Sequence, residues 1–443
     1  MTVHPFERPA KRVPSAKPQE VDPTAEIDAS WPKKLLRKKK GGIIVQPHNI
    51  ALILRHHEPY AGAIRLDTFR HRKERSKPLP WAEQPDRWAD LDTIALRAHM
   101  HETLGLIVPN DCAIAAVELV AHQQRYDSLI QHLDSLQWDG YQRADTFLIR
   151  YFGAKDTQLN RIYSRRFLTQ MMARAYRPGA KADCMLILEG SQGAGKSTAW
   201  KALAGEEFFR DDALDFHDKD SMRAVNETWI QEMGELVSLK RAEATGIKAF
   251  LTKTADYFRP SYGREFVELK RRCVFVGTTN ENIYLDDPTG ARRFWSVQCG
   301  RADLAGITRD REAILAEARM IFEGGEKWWI DETEDIATLA RESQASRQHE
   351  HPWSEMIQSW LSTKSPIDCR GGFTAIEILE HAVSMQRDKI SKRETMQLAG
   401  VMRQLNYERT EEKVSRNGAR VRVYVPISQP SETVPNEEND PWS

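Results

Sequence analysis

The sequence predicts an α/β core set between a mainly helical N-terminal region and a C-terminal module in which helices are followed by strands. Three observations carry this expectation. A short apolar run at residues 185–188 suits a buried parallel strand and leads into Gly190-x4-Gly195-Lys196-Ser197, after which residues 198–203 read as a helix. Two further runs follow: 228–236 enters apolar and leaves with two carboxylates, and 273–280 ends at Asn280. Beyond residue 353 helical periodicity returns and gives way to two alternating segments joined at Asn417-Gly418.

With 443 residues the chain is too long for one compact core and suggests about three folding units. Its 64 basic and 64 acidic residues cancel, so affinity for polyanions must come from local patches. The five cysteines, at 112, 184, 273, 299 and 369, show no paired metal-ligand spacing and read as reduced residues of a cytoplasmic protein. No apolar segment approaches the roughly 20 residues of a membrane span, and the N-terminus lacks a signal peptide's apolar core.

Taken in order, residues 1–30 mix proline, charge and small polar residues without period and are expected to be a disordered leader. Lys33, Lys34, Arg37, Lys38, Lys39 and Lys40 follow as a basic run, either a solvated face or an arm that contacts phosphates. Residues 31–178 read as a mainly helical domain, with helices at 49–54, 112–122 and 167–175 and a strand edge at 62–67. His56, His57 and His71 lack partners at ligand spacing and read as surface histidines. Arg177-Pro178-Gly179 then places a boundary before the core, expected over 179–330, although the helix at 167–175 is expected to pack on that core.

Within the core, Gly190, Ser191, Gln192, Gly193, Ala194, Gly195, Lys196, Ser197 and Thr198 match and follow the Walker A pattern. Its glycines let the backbone wrap a phosphate chain, and the helix start turns N–H groups toward it. ATP is the expected ligand, with Lys196 on its β/γ-phosphates and Ser197 on Mg²⁺. At the end of the second strand Glu232 is expected to contact the metal through its waters, and Glu235 to act as base or to position water. The two roles are exchangeable, and an amphipathic helix with an exposed acidic pair is the structural alternative. Asn280 ends the third strand, where an amide can bond both the γ-phosphate and the attacking water, or simply start a turn. Arg292 and Arg293 suit an arginine finger acting on a neighbour's ATP, which requires a ring or other oligomer; a salt bridge is the other use for one of them.

Residues 248–272 hold seven Lys/Arg against three Asp/Glu, interleaved with Phe250, Tyr257, Phe258, Tyr262 and Phe266. Lys248, Lys253, Arg259, Tyr262 and Arg264, continued by Lys270-Arg271-Arg272, suit single-stranded nucleic acid, because basic groups follow phosphates while aromatics stack bases. Alternatively the aromatics pack beneath a hairpin and the charges are solvated.

The order of Walker A, a closely following acidic strand, a basic intervening stretch and an Asn-terminated strand resembles superfamily 3 helicases, which are AAA+-like motors. Within that group Leu136-Gln137-Trp138-Asp139-Gly140, the stretch 272–280, and Asp286-Asp287-Pro288-Thr289-Gly290-Ala291-Arg292-Arg293-Phe294-Trp295 look like the virulence-associated protein E family of phage- and island-encoded proteins, over roughly 125–330. The resemblance implies a P-loop ATPase in the replication of a mobile element, a hexameric motor with single-stranded DNA in its channel. Gln231-Glu232 departs from the family's paired acid and leaves the division of labour between Glu232 and Glu235 open. No primase centre stands upstream, so primer synthesis falls to a separate primase or replication initiator.

Residues 313–323 read as a helix that closes the core, and 331–352 as a charged linker. The module at 353–427 begins with a helix at 353–361, continues with one whose Thr374 and Glu377 stand at capping-box spacing, and adds a third at 395–405 before the alternating segments. Helices followed by a basic hairpin suggest a winged helix, with Arg416, Arg420 and Arg422 on the wing and Lys392, Arg393 and Arg403 near the recognition helix as DNA contacts. Residues 428–443 are expected to be a disordered tail. The functional expectation is an ATP- and Mg²⁺-dependent nucleic-acid motor. Its rivals are an origin-binding or helicase-loading switch that does not unwind DNA, and a defence ATPase triggered by a phage component.

Overall fold

Pro47 starts the first helix, where its missing N–H costs nothing and its fixed φ is already helical. In this computed structural model, which describes residues 30–215, 218–234, 241–258, 266–280, 293–345, 353–405, 407–416 and 419–427, that helix, α1 (Pro47–His56), is buried from Asn49 to Leu54. The expected leader and tail lie outside the described residues, apart from Ser30. Described residues up to Gln344 form one compact unit and those from Trp353 onward belong to a second.

The first unit opens with a small sheet made of β1 (Ile64–Asp67), β2 (Arg72–Arg75) and β3 (Asp86–Arg87), followed by α2 (Asp90–Leu104), α3 (Asn110–Gln123) and β4 (Arg125–Tyr126). Its order is β3-β2-β1-β4, with β4 parallel to β1. Ile64 and residues of α1, α2 and α3 share one apolar core. His56 and His57 pack against Trp31, with ring centroids 6.1 Å away in both cases, so they are part of this packing and not open-surface histidines.

Next come α4 (Ser128–Ser135), α5 (Phe147–Phe152), α6 (Gln158–Tyr176), β5 (Met185–Glu189), α7 (Lys196–Ala204), β6 (Phe209–Arg210), α8 (Lys219–Asn226), β7 (Ile230–Met233) and α9 (Arg241–Thr252). A hairpin of β8 (Ala255–Phe258) and β9 (Val267–Lys270) precedes β10 (Val274–Thr279) and β11 (Phe294–Gln298), and α10 (Leu304–Glu323) and α11 (Ile336–Ala345) complete the unit. Five strands make a parallel sheet in the order β11-β5-β10-β7-β6. Every residue of β5, β7 and β10 is buried, as a parallel sheet covered on both faces demands; β5 and the first half of β10 accordingly read as apolar runs, while β7 carries the polar pair Gln231 and Glu232 into the interior.

Leu186 and Leu188 of β5 share a core with Phe167, Met171 and Met172 of α6, Trp200 of α7 and Leu315 of α10. The Trp229 indole donates to the Met171 carbonyl at 3.1 Å, and Tyr163 stacks on Trp295 with centroids 5.0 Å apart. Helix α6 therefore packs into the sheet's core as expected, and α4 and α5 join it although they too precede the boundary at 179. At the other end, the segment expected to be a linker is helical over Ile336–Ala345, and Ala340 joins the same core. Among the described residues no helix is long and apolar enough to cross a membrane.

The second unit contains α12 (Trp353–Ser362), α13 (Pro366–Gly371), α14 (Ala375–His381) and α15 (Lys392–Gln404), then β12 (Tyr407–Arg409), β13 (Val414–Arg416), β14 (Ala419–Val421) and β15 (Tyr424–Pro426). Thr374 and Glu377 form the capping box at the start of α14. Where the sequence suggested two strands joined at 417–418, there are two nested antiparallel pairs, β13 with β14 and β12 with β15. Ile357, Phe373, Leu379, Leu398 and Tyr424 form this unit's core.

Candidate nucleotide site

The β5–α7 connection emerges at the carboxyl ends of the parallel strands, and the chain returns to β6 at one edge and β11 on the other side of β5. Ligands bind in open α/β sheets at such reversals of strand order. Gly195 holds φ +80°, a left-handed geometry that suits glycine, and the helix begins with Lys196. Lys196 donates from Nζ to the carbonyls of Gly190 at 2.7 Å and Ser191 at 2.9 Å. Burial pulls its ammonium below the ordinary lysine range. The nearby Cys299 thiol is pushed by burial to about 12 and stays neutral, so the charge that favours the ammonium is Glu232.

Glu232, on β7, receives two hydroxyls on one oxygen. Ser197 Oγ donates to its Oε1 at 2.6 Å, and Thr278 Oγ1, from the adjacent strand β10, donates to the same atom at 2.7 Å. Among the described residues its Oε2 is buried without a hydrogen-bond partner. Burial raises the carboxyl above its ordinary range; the Ser197 and Thr278 hydroxyls partly offset this, and Asp211 adds to it. A buried carboxylate oxygen with no donor, next to a serine hydroxyl and a phosphate-type loop, fits a divalent cation or its water, because oxygen ligands and negative charge are what Mg²⁺ takes. Ser197 and Glu232, the two expected metal residues, are thus brought together. Thr278 and Asp211 were not expected: each is separated in sequence from Glu232, and only the strand order puts them near it.

Asn280 lies just beyond β10 and is exposed, beside the loop, where Gly190 N donates to Thr279 O at 3.1 Å. Arg293 lies elsewhere. It precedes β11, whose Phe294 is in register with Met185 at the start of β5, so it stands at the opposite end of the strands from the loop. There it forms an ion pair with Asp183 at 3.5 Å. Glu235, Arg259, Tyr262, Arg264 and Arg292 lie outside the described residues.

The basic stretch divides. Lys248 is buried, with Nζ 5.9 Å from the Phe294 ring centroid, and leaves the set expected to meet nucleic acid. Arg271 and Arg272 are corrected likewise. Arg271 is fully buried and holds Asp256 with two hydrogen bonds of 2.7 and 2.8 Å, while Arg272 pairs with Asp127 and donates to Ala175 O at 2.9 Å. Phe250 and Phe258 pack inside, but Tyr257 and Phe266 are 66% and 75% exposed on the hairpin, with Lys253 half-exposed at its foot. In the second unit Lys392, Arg393, Arg420 and Arg422 are exposed, and Arg416 ends β13 opposite Ala419; Arg403 lies in α15.

Among known proteins, the family model of the virulence-associated protein E-like domain matches residues 133–349. The A-form apo structure of the NrS-1 C-terminal region (305–718) is similar at 13% identity and a TM-score of 0.46, covering 86% of this chain and 99% of that one. A second apo structure of that region has 14% identity and a TM-score of 0.43, covering 82% and 95%. No curated protein matches the chain. The matched segment holds the loop, Lys196, Ser197, Glu232 and Thr278, and is a virulence-associated protein E-like domain.

Proposed function

We propose that the chain is an ATP- and Mg²⁺-dependent nucleic-acid motor of a phage or mobile element, with a P-loop AAA+-like core of the superfamily 3 kind, working as a hexameric ring around single-stranded DNA. The observation that carries the reading is the Ser197–Glu232–Thr278 cluster with its unpartnered carboxylate oxygen beside the glycine loop. Residues 190–198 hold the triphosphate, with Lys196 exchanging its two carbonyl acceptors for phosphate oxygens, and Ser197 and Glu232 hold the metal. Mg²⁺ held there by Ser197 and Glu232 would supply positive charge against the charge developing on the phosphates. Glu235 activates or positions water, and Asn280 bonds the γ-phosphate.

The position of Arg293 supports use across a subunit interface. Arg293 is level with residue 184, six residue steps along the strand from Gly190, which sets it roughly 20 Å from its own loop at ~3.3 Å per residue, so it or Arg292 serves a neighbour's ATP. Exposed Tyr257 and Phe266 stack on the strand and Lys253 meets its phosphates, with Arg259, Tyr262 and Arg264 as further contacts, and the second unit adds duplex contacts as a winged helix through Lys392, Arg393, Arg416, Arg420 and Arg422.

The test is ATP hydrolysis by wild type and Lys196→Ala, with and without single-stranded DNA, beside a mass measurement with ATP bound. We expect DNA-stimulated turnover by a hexamer, falling at least about 100-fold in the variant, as when a transition-state charge contact is removed. DNA-insensitive turnover by a monomer would overturn the motor reading in favour of a loading switch or a defence ATPase.

A further inference from the structure

Residues 33–40 carry six basic side chains, and the fold does not leave them on a loose arm. Leu35 is buried, and Ile43 and Val45 pack on the N-terminal core, so the chain is anchored on both sides. Between these anchors it folds back on itself. Ile44 N donates to Leu36 O at 3.0 Å, Lys38 N to Gly42 O at 2.7 Å, and Gly41 N to Lys38 O at 2.8 Å. Gly41 takes φ +90°, which closes the turn in a geometry that other residues resist.

Asn49, fully buried in the first turn of α1, clamps the base. Its Oδ1 accepts from Leu36 N at 3.0 Å, and its Nδ2 donates to the carbonyls of Leu36 and Ile44, each at 2.8 Å. Arg37 Nη1 donates to Gly41 O at 3.1 Å across the turn. Lys38, Lys39 and Lys40 are therefore the tip of a pinned hairpin. All three are exposed, and none makes an ion pair among the described residues.

Holding three like charges together costs repulsion that a free tail would relieve by spreading. A fixed cationic tip gains where it meets a dense row of anions, because its ordering has already been done in folding. We propose that the turn at residues 38–41 is a nucleic-acid contact separate from the ATPase core, gripping the phosphodiester backbone without reading sequence. Lysine ammoniums are point charges suited to phosphates, and the tip carries no aromatic or amide side chain to read or stack a base. A lipid surface would call for apolar insertion beside the charge, and the turn offers only Leu36. The choice of nucleic acid among polyanions rests on the motor reading above.

The experiment is equilibrium binding of the full chain, without nucleotide, to a mixed-sequence duplex, a single strand and vesicles containing anionic lipid over a salt series. Wild type is compared with the combined Lys38→Gln, Lys39→Gln and Lys40→Gln variant. For the duplex, the slope of log affinity against log salt should become shallower by about 2–3, with affinity at low salt down about tenfold or more. DNA-independent ATP hydrolysis and the melting temperature should be unchanged. Equal slopes and affinities would overturn the proposal, and so would a loss confined to vesicles containing anionic lipid. A wild type that hydrolyses no ATP would sink the motor reading, while the salt slopes would still decide the role of the tip.

Discussion

Glu232 and Asp256 are carboxylates with 3% and 2% exposure in the same unit, and their surroundings are opposites. Asp256 is saturated: Arg271 grips both its oxygens, and Asn226 Nδ2 adds a third donor at 3.0 Å. Arg271 in turn lies 3.9 Å from the Phe250 ring centroid and donates to Phe250 O at 2.5 Å, tying α9 and the foot of the hairpin to the start of β10. Glu232 has two hydroxyl donors on one oxygen and, among the described residues, no donor on the other. A buried acid whose charge is fully matched by its own protein has no capacity left for a ligand. One left half-matched is held at a cost that a cation can remove. The difference separates a structural clamp from a binding site better than burial or charge does.

Breaking the clamp should give the largest effect on stability. Asp256→Ala leaves the Arg271 guanidinium buried without a counter-charge, and losing one partner of such a pair costs about 3–5 kcal/mol. Denaturant unfolding of the first unit should show a loss of that order. A loss under about 1 kcal/mol would mean the pair is replaceable by water, and the contrast with Glu232 would fail.

Glu232→Gln should do the reverse. It keeps the oxygen that Ser197 and Thr278 donate to and removes the charge, so hydrolysis should fall about 100- to 1,000-fold while the melting temperature holds or rises. The pH dependence fixes the sign. Because burial raises this carboxyl, its contribution to stability is fully present below the ordinary value of about 4.3 and is lost as pH rises through the raised one. Without Mg²⁺ and nucleotide, the variant's advantage in melting temperature should widen from about pH 4 toward neutrality. A variant that melts lower than wild type at neutral pH would show that the carboxylate is not held at a cost.

What the sequence revealed follows from the same physics. The β5–loop–α7 unit was legible because the motif is contiguous and its strand is buried on both faces. Glu232 was legible as the acid that ends an apolar run. Thr278 was not, since it reaches Glu232 from 46 residues away through strand order, which no spacing encodes. The basic stretch misled for a related reason. Lys248, Arg271 and Arg272 show their charge in sequence but not their burial, and Arg272 finds its carboxylate 145 residues upstream at Asp127. Alternating segments near the C-terminus indicated strands, but not that Val414–Arg416 and Ala419–Val421 pair separately inside the outer pair.

Thr278→Val is the finest test of the contrast. The substitution is close to isosteric and removes one of the two donors to Glu232 Oε1, leaving Ser197 alone to orient the carboxylate. Losing that bond should lower stability by about 1 kcal/mol, the usual net value of a hydrogen bond. Its functional signature should be sharper, because a carboxylate free to turn presents its second oxygen to the metal less consistently. The Mg²⁺ concentration for half-maximal hydrolysis should rise several-fold while the KM for ATP moves less. Thr278→Ser, which restores the hydroxyl, should recover the wild-type Mg²⁺ dependence even if the lost methyl costs some stability. Equal Mg²⁺ dependence in the valine and serine variants would mean that Thr278 only fills space. Glu232 would then be held by Ser197 alone, from the same helix turn that carries Lys196.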